Sequence, residues 1–171
     1  NVGSVMSIKT GEKGFTLIEV IVTLILVGIT AAMAGMWIVS VANGYIFAKK
    51  NMDTTQKAQL AMTRMEKEFK AISAVNPGVT TATSITYTRP DIASGSVNGT
   101  ISLDGSLLKI NGYTLTDNVS AFTLAYCDNV TSTSCPAAWS STSRIIVITL
   151  SLVGAENVQS TFTQRVTPRN L

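Results

Sequence analysis

The sequence predicts an α+β fold in which one long N-terminal helix packs on an antiparallel β-sheet head. Three observations support this expectation. Residues 20–48 carry no charged side chain, the residues after them carry an apolar stripe at helical spacing, and the chain beyond Gly78 is rich in Ser, Thr, Gly and Asn with short β-prone runs. A chain of 171 residues has room for one modest domain plus an appendage.

The charge-free residues 20–48, called the apolar segment below, are long enough to cross a bilayer. At about 1.5 Å per helical residue they span roughly 40 Å, more than the roughly 30 Å hydrocarbon core. Lys49 and Lys50 close the segment on one side, and Lys9 and Lys13 precede it on the other. Lysines on both flanks leave the positive-inside rule without a preference for orientation.

The helix is expected to continue past the lysines as an amphipathic helix. No Gly or Pro lies between Tyr45 and Val75, and the sequence NPG at residues 76–78 is a stop signal. We therefore predict one helix over residues 15–76, with 15–48 apolar and 49–76 amphipathic. Its stripe is interpreted as core under the sheet rather than as a groove for a partner, and it comprises Ala58, Met62, Met65, Phe69 and Ile72.

Residues 77–171 are predicted to form the antiparallel β head, with four to six strands. The β-prone runs are SITYTR, TISL, LLKI, YTL, VSAFTLAYC, RIIVITLSLV and VQSTFTQRVT. The dipeptides DG at Asp104 and NG at Asn111 predict hairpin turns, and a terminal hairpin is expected to turn around residues 154–157. Residues 129–143 are expected to be a long polar loop.

Composition argues against several functional classes. Histidine is absent and cysteine occurs twice, which removes most zinc sites and His-based catalytic groups, so we expect no enzyme, no metal and no cofactor. The net charge is +3, but Lys and Arg are scattered, so nucleic acid is not an expected partner. Three aspartates in loops are interpreted as loop caps rather than calcium ligands, and these are Asp104, Asp117 and Asp128. Three glycosylation-like sequons are interpreted as accidental, and they begin at Asn98, Asn118 and Asn129.

The sequence KGFTLIEV at residues 13–20 resembles the processing signature of type IV prepilins and of type II secretion pseudopilins. The resemblance covers about the first third of the chain. It implies that residues 1–14 are a leader removed by a prepilin peptidase after Gly14, and that Phe15 becomes the N-methylated terminus. Met6, within these residues, is a candidate translation start, and a start further upstream is the alternative.

Glu19 is the one acidic residue at the edge of the apolar segment, and its position next to hydrocarbon needs a physical explanation. A carboxylate near hydrocarbon costs several kcal/mol unless it is neutralised or paired. The ammonium that cleavage would create at Phe15 is the obvious partner. Glu19 is one helical turn from its own amine, whereas the resemblance implies a bond to the amine of a neighbouring subunit, which makes Glu19 a candidate assembly residue.

The head contains the sequence NVSAFTLAYCDN, then a tryptophan-bearing loop, then RIIVITLSLV. In this order it resembles, more loosely, the heads of the PilW-like minor pilins and the J-type minor pseudopilins. Proline is absent from the middle of the apolar segment and the chain has no terminal cysteine pair of the major-pilin type, which favours a minor subunit. Cys127 and Cys135 are expected to form a disulfide if the head lies outside the cytoplasm, and two unpaired thiols remain the alternative.

The resemblance implies a structural subunit of a type IV pilus or of a type II secretion pseudopilus. Its expected partners are the prepilin peptidase, other pilin or pseudopilin subunits and an inner-membrane assembly platform. Its expected location is the bacterial inner membrane, with one crossing and the head in the periplasm, and later the filament. The alternative is an anchored binding or adhesion module, whose site would be the polar loop at residues 129–143 with Trp139 exposed.

Overall fold

The computed structural model of the protein describes residues 14–171. Residues 1–13, which hold nearly all of the predicted leader, lie outside the described part. The chain divides into two compact units, Asn1–Tyr45 and Ile46–Leu171, and each is described by itself.

Helix α1 comprises Leu17–Lys70 and belongs to both units. Its first part consists mainly of Leu, Ile, Val, Ala and Met, and their side chains in the first unit are exposed. Among the described residues, α1 is the helix that is long and apolar enough to cross a membrane, judged by length and composition. An apolar surface of this kind is stable only against hydrocarbon or against other helices.

The predicted end of the helix at Asn76 is wrong, because α1 ends at Lys70. The chain tightens first, with Ala71 N donating to Glu68 O and Ile72 N donating to Phe69 O. Strand β1, Ala74–Val75, then pairs with the next strand instead of extending the helix. The ladder hydrogen bonds available to these backbone groups replace helical ones, so the head begins a few residues before the predicted boundary at 77.

The second unit contains eight strands in two antiparallel sheets. One sheet has the order β1-β2-β3-β4-β5 and the other the order β6-β7-β8. The strands after β1 are β2 (Ser84–Asp91), β3 (Gly95–Asp104), β4 (Leu107–Ile110), β5 (Tyr113–Thr116), β6 (Val119–Cys127), β7 (Ile145–Val153) and β8 (Gln159–Val166). Short 3-10 turns lie at Pro77–Val79 and Ala155–Asn157.

The turns predicted at Asp104, at Asn111 and at residues 154–157 are confirmed. Asn111 and Gly112 both have positive φ, 52° and 82°, which is the backbone that a two-residue hairpin turn requires. Gly105 supplies a φ of 59° after Asp104. The β7–β8 connection turns at residues 154–158, where Glu156 and Asn157 have φ values of 52° and 60°.

The helical stripe is core, as predicted. Ala58, Met65 and Phe69 have no exposed surface and Met62 is nearly buried, and all four pack in one cluster with apolar side chains of both sheets. Ile72 is also fully buried, although it lies just after the helix. Burial of one large apolar side chain of this kind stabilises a fold by about 1.5–3 kcal/mol.

The α+β class is confirmed: one long N-terminal helix packs against antiparallel sheets in a type IV pilin-like architecture. The expectation of one sheet with four to six strands is wrong. A five-stranded and a three-stranded sheet share the buried face of the helix, because Asp117 and Asn118 interrupt the meander and Asn118 takes a positive φ of 55°.

Candidate processing and assembly site

The predicted processing residues lie immediately before the first turn of α1. Gly14 is exposed, and Phe15 exposes 80% of its surface. Among the described residues, nothing lies within 4 Å of the position that a Cβ at Gly14 would occupy. Packing in the described structure therefore gives no reason for a glycine at this position.

Thr16 starts the helix by capping it. The Glu19 backbone N–H donates to the Thr16 hydroxyl oxygen at 3.3 Å and to the Thr16 carbonyl oxygen at 3.0 Å. A threonine followed three residues later by a glutamate is the pattern of a capping box, and such an N-cap stabilises a helix by about 1 kcal/mol. This T-x-x-E signal is visible in the letters TLIE, so Thr16 could have been selected from the sequence.

Glu19 lies in the first turn of α1 and is exposed. Within residues 14–171, the five ion pairs do not include Glu19. Its carboxylate also does not complete the capping box there, since the only side-chain bond recorded between the two residues uses the Thr16 hydroxyl as acceptor. Among residues 14–171, the Glu19 carboxylate therefore has no cationic partner.

A second polar feature fixes the head on its helix. Glu68 is buried, with 6% of its surface exposed, and accepts from Tyr87 Oη at 3.3 Å. Its carboxylate also pairs with Arg64 at 3.0 Å and with Arg89 at 3.3 Å. A buried carboxylate is costly unless paired in this way, so the cluster defines one position of the helix against β2.

Tyr87 occupies its place because Gly99 stands opposite it in β3. A Cβ at Gly99 would lie 2.5 Å from the Tyr87 ring. Burial raises the pKa of Tyr87, and the neighbouring Glu68 charge raises it further. The phenol is therefore a neutral hydrogen-bond donor to Glu68 at physiological pH.

The expected disulfide is present in the head. Cys127 and Cys135 are joined, with their Cα atoms 4.7 Å apart, and close a loop over residues 127–135, called the disulfide loop below. Arg165 on β8 holds the same loop, since its guanidinium donates to the carbonyl oxygens of Val130 at 2.9 Å and Ser132 at 3.0 Å. Val130 itself is 74% exposed.

The expectation that Trp139 is exposed is wrong. Trp139 is half-buried and packs against the core, edge-on to Tyr126, with ring centroids 5.3 Å apart. An aromatic ring in a polar loop gains more from covering the core than from facing water. Val130 in the disulfide loop, rather than Trp139, is the large apolar side chain of this region that is exposed.

The three loop aspartates have individual partners rather than a shared one. Asp117 pairs with Lys57 at 2.7 Å, and this bond lowers the pKa of the aspartate. Asp104 pairs with Lys109 at 2.5 Å, which lowers its pKa likewise. Asp128 accepts from the Thr142 hydroxyl at 3.0 Å. Two of the three are therefore in ion pairs, and the third ties down the polar loop.

A family model described as the prokaryotic N-terminal methylation motif matches residues 9–35. The match contains Gly14, Phe15, Thr16 and Glu19 and ends inside the apolar segment. No curated protein matches the chain. The chain thus carries a type IV prepilin-like N-terminus, and the motif together with the fold supports a precursor of the pilin or pseudopilin kind.

Proposed function

We propose that the chain is a minor pilin or pseudopilin, a structural subunit that a prepilin peptidase cleaves after Gly14 and methylates at Phe15. The apolar segment then holds the subunit in the bacterial inner membrane, with its head in the periplasm. Assembly moves the subunit into a type IV pilus or a type II secretion pseudopilus. The proposal gives the chain no catalytic role.

One observation carries the proposal: an exposed Gly14–Phe15 bond precedes a capped helix whose first turn presents Glu19, inside a matched methylation motif. Exposure of the bond suits access by a peptidase. A glycine that packing does not require suits recognition by that peptidase.

Electrostatics supports the assembly role of Glu19. Cleavage before Phe15 creates an ammonium group with an ordinary pKa near 8, which is mostly charged at neutral pH. Pairing it with the carboxylate removes the cost of several kcal/mol that an isolated charge pays near hydrocarbon. A neighbouring subunit that offers this amine would be bound at one axial register, because the apolar surface alone is non-directional.

The exposed apolar side chains of the first unit support the same role. They surround the helix rather than forming one stripe, as in Leu24, Ile29, Trp37 and Val41, each more than half exposed. Such a helix suits lipid before assembly and other helices afterwards. The small residues Ala31 and Gly35, and Gly28 and Ala32, allow close approach of a neighbour.

The proposal is tested with Glu19→Ala, Glu19→Gln, Thr16→Ala and Thr16→Ser in cells that carry the complete assembly machinery. The amount of subunit in sheared filaments is compared with the amount left in the membrane. If charge pairing is the role of Glu19, both Glu19 variants stay in the membrane and Thr16→Ser assembles normally.

Glu19→Gln separates this role from helix capping, because glutamine removes the charge and is as suitable as glutamate at this position of a capping box. Normal filaments from Glu19→Gln, together with loss of filaments in Thr16→Ala, would mean that helix capping explains the residue. Normal filaments from Glu19→Ala would remove the assembly role altogether.

A second candidate function is an anchored binding or adhesion module. The observation that favours it is the disulfide loop, which is held twice, by Cys127–Cys135 and by Arg165, and yet presents Val130 with 74% of its surface exposed. Val130→Asp keeps the loop and changes its apolar tip. Lost adhesion or cargo export with normal filaments supports recognition, whereas no effect on either removes Val130 from it.

A further inference from the structure

The β7–β8 turn at residues 154–158 lies at one end of the head. Three contacts with α1 show that this is the end toward the N-terminus of the helix. Ala155 N donates to Asn51 Oδ1 at 2.9 Å, Gln164 Nε2 donates to Glu66 Oε2 at 2.6 Å, and Arg169 N donates to Lys70 O at 3.2 Å. As the chain advances from 155 to 169, its helical partners advance from 51 to 70. The hairpin therefore follows the helix, and its turn faces the N-terminal direction of α1.

Close contacts fix the turn against α1 at Asn51. A Cβ at Gly154 would lie 2.2 Å from Asn51 Oδ1, so only glycine admits the approach. Gly154 N donates to Val158 O at 2.7 Å and Val158 N donates to Ala155 O at 3.0 Å, which closes the turn. Glu156 takes a positive φ of 52° inside it. Non-glycine residues in this backbone region cost about 1 kcal/mol or more, and they persist where their surroundings fix them.

Helix tilt accommodates an apolar segment that is longer than the hydrocarbon core, with the flanking Lys49 and Lys50 at the headgroups, and Asn51 stands directly after these lysines. At about 1.5 Å per residue, the Cα atom of Asn51 lies about 4–5 Å beyond Ala48. The headgroup layer on one side of a bilayer is roughly 5–7 Å thick. Helical side chains also tilt toward the N-terminus, which brings the Asn51 amide and the turn bound to it slightly closer to the bilayer.

The surface around the turn suits a lipid interface. Val158 is 44% exposed and Met52 is 62% exposed, and both are apolar. The lysines at 49 and 50 are exposed and carry ammonium groups at the level where phosphates lie. Glu156, also exposed, offers a carboxylate to the ammonium of a zwitterionic headgroup.

We propose that the β7–β8 turn is a membrane-surface contact that seats the head on phospholipid headgroups while the subunit waits in the bilayer. The proposal rests on the membrane anchoring in the proposed function. It adds a second attachment to the bilayer besides the helix, and this attachment must be released when the subunit enters a filament.

The test uses spin labels on single added cysteines in the full chain with its disulfide intact, reconstituted in phosphatidylethanolamine and phosphatidylglycerol vesicles. The label positions are Val158→Cys in the turn, Ile92→Cys in the β2–β3 hairpin and Ala34→Cys in the apolar segment. Ile92 is the matched control because it is fully exposed and follows Arg89, which pairs with Glu68 near the opposite end of the helix contacts. Collision rates with oxygen and with a water-soluble nickel chelate are measured at each label.

We expect the oxygen-to-nickel ratio at Val158→Cys to be several-fold higher than at Ile92→Cys and lower than at Ala34→Cys. Equal ratios at Val158→Cys and Ile92→Cys, with a high ratio at Ala34→Cys, would overturn the membrane contact and leave the anchoring intact. A low, water-like ratio at Ala34→Cys would overturn the anchoring itself, and the membrane contact with it.

Discussion

Replacing Gly154 by alanine tests how the β7–β8 turn is attached to the helix. The new Cβ would stand 2.2 Å from Asn51 Oδ1. Overpacking of this kind costs about 1–3 kcal/mol. Displacement of the Asn51 amide also breaks its 2.9 Å bond to the Ala155 N–H, which adds about 1–2 kcal/mol for a part-buried donor. We expect Gly154→Ala to lower the free energy of unfolding by about 2–5 kcal/mol in total.

A second substitution in the same pair makes the reasoning refutable. Asn51→Ala removes both the hydrogen bond and the atom that the new Cβ meets, so it should cost about 1–2 kcal/mol alone. Outside the Asn51 side chain, the nearest protein atom to the new Cβ is Val158 O at 3.4 Å, which is ordinary contact. The double variant should therefore be no less stable than Asn51→Ala, so the coupling equals the whole cost of Gly154→Ala, about 2–5 kcal/mol.

The assay is urea unfolding of the full chain in detergent, followed by the fluorescence of Trp139. This ring packs on Tyr126 within the head core and reports on the head. A Trp37→Phe background removes the other tryptophan, which lies in the apolar segment. Costs of Gly154→Ala and Asn51→Ala that simply add in the double variant, within about 0.5 kcal/mol, would refute the close approach.

Three further changes test the head. Converting Cys127 and Cys135 to serine opens a loop with a sequence separation of 8. The free energy of unfolding, measured by urea titration, should fall by about 2.5 kcal/mol. No loss of stability would mean that the disulfide does not constrain the unfolded chain. Gly99→Ala should cost about 1–3 kcal/mol in the same assay, since its Cβ meets the Tyr87 ring, and a neutral result would contradict that packing. Burial raises the pKa of Tyr87 and Tyr126, so the folded head favours their neutral forms. The free energy of unfolding should keep their full contribution below about pH 10. Above that pH it should fall by about 1.4 kcal/mol per pH unit for each tyrosine. Absorbance of tyrosinate and fluorescence of the head should then change together, and ionisation of both phenols in a folded head would contradict the burial.

Local chemistry explains what the sequence predicted correctly. Each strand that carries β-branched and aromatic residues between turn residues is present, and β4 and β6 have the bounds of the runs LLKI and VSAFTLAYC. The stripe through Ala58, Met62, Met65 and Phe69 identified the buried face of the helix, because helical spacing fixes which side chains share a face.

Contacts between distant residues explain what the sequence did not predict. The helix stops at Lys70 because residues 74 and 75 pair with β2, a choice made by tertiary hydrogen bonds rather than by propensity. The division into two sheets, the burial of Glu68 and the approach of Gly154 to Asn51 likewise depend on pairs that are far apart in the chain.

The same distinction between local and distant contacts applies to the functional residues. Gly14, Phe15 and Glu19 could be selected from the sequence because their spacing forms a local motif, and Thr16 could have been added from its distance to Glu19. The exposed tip of the disulfide loop could not, since only the fold shows that Trp139 packs inward and Val130 outward.

The central claim is that proteolysis gives the Glu19 carboxylate a positively charged companion. Intact mass and N-terminal sequencing of the mature protein, purified from cells with its native machinery, test this claim most directly. The account predicts a chain that begins at Phe15 and carries one methyl group on its terminal amine. A mature chain that retains residues before Phe15 would contradict it.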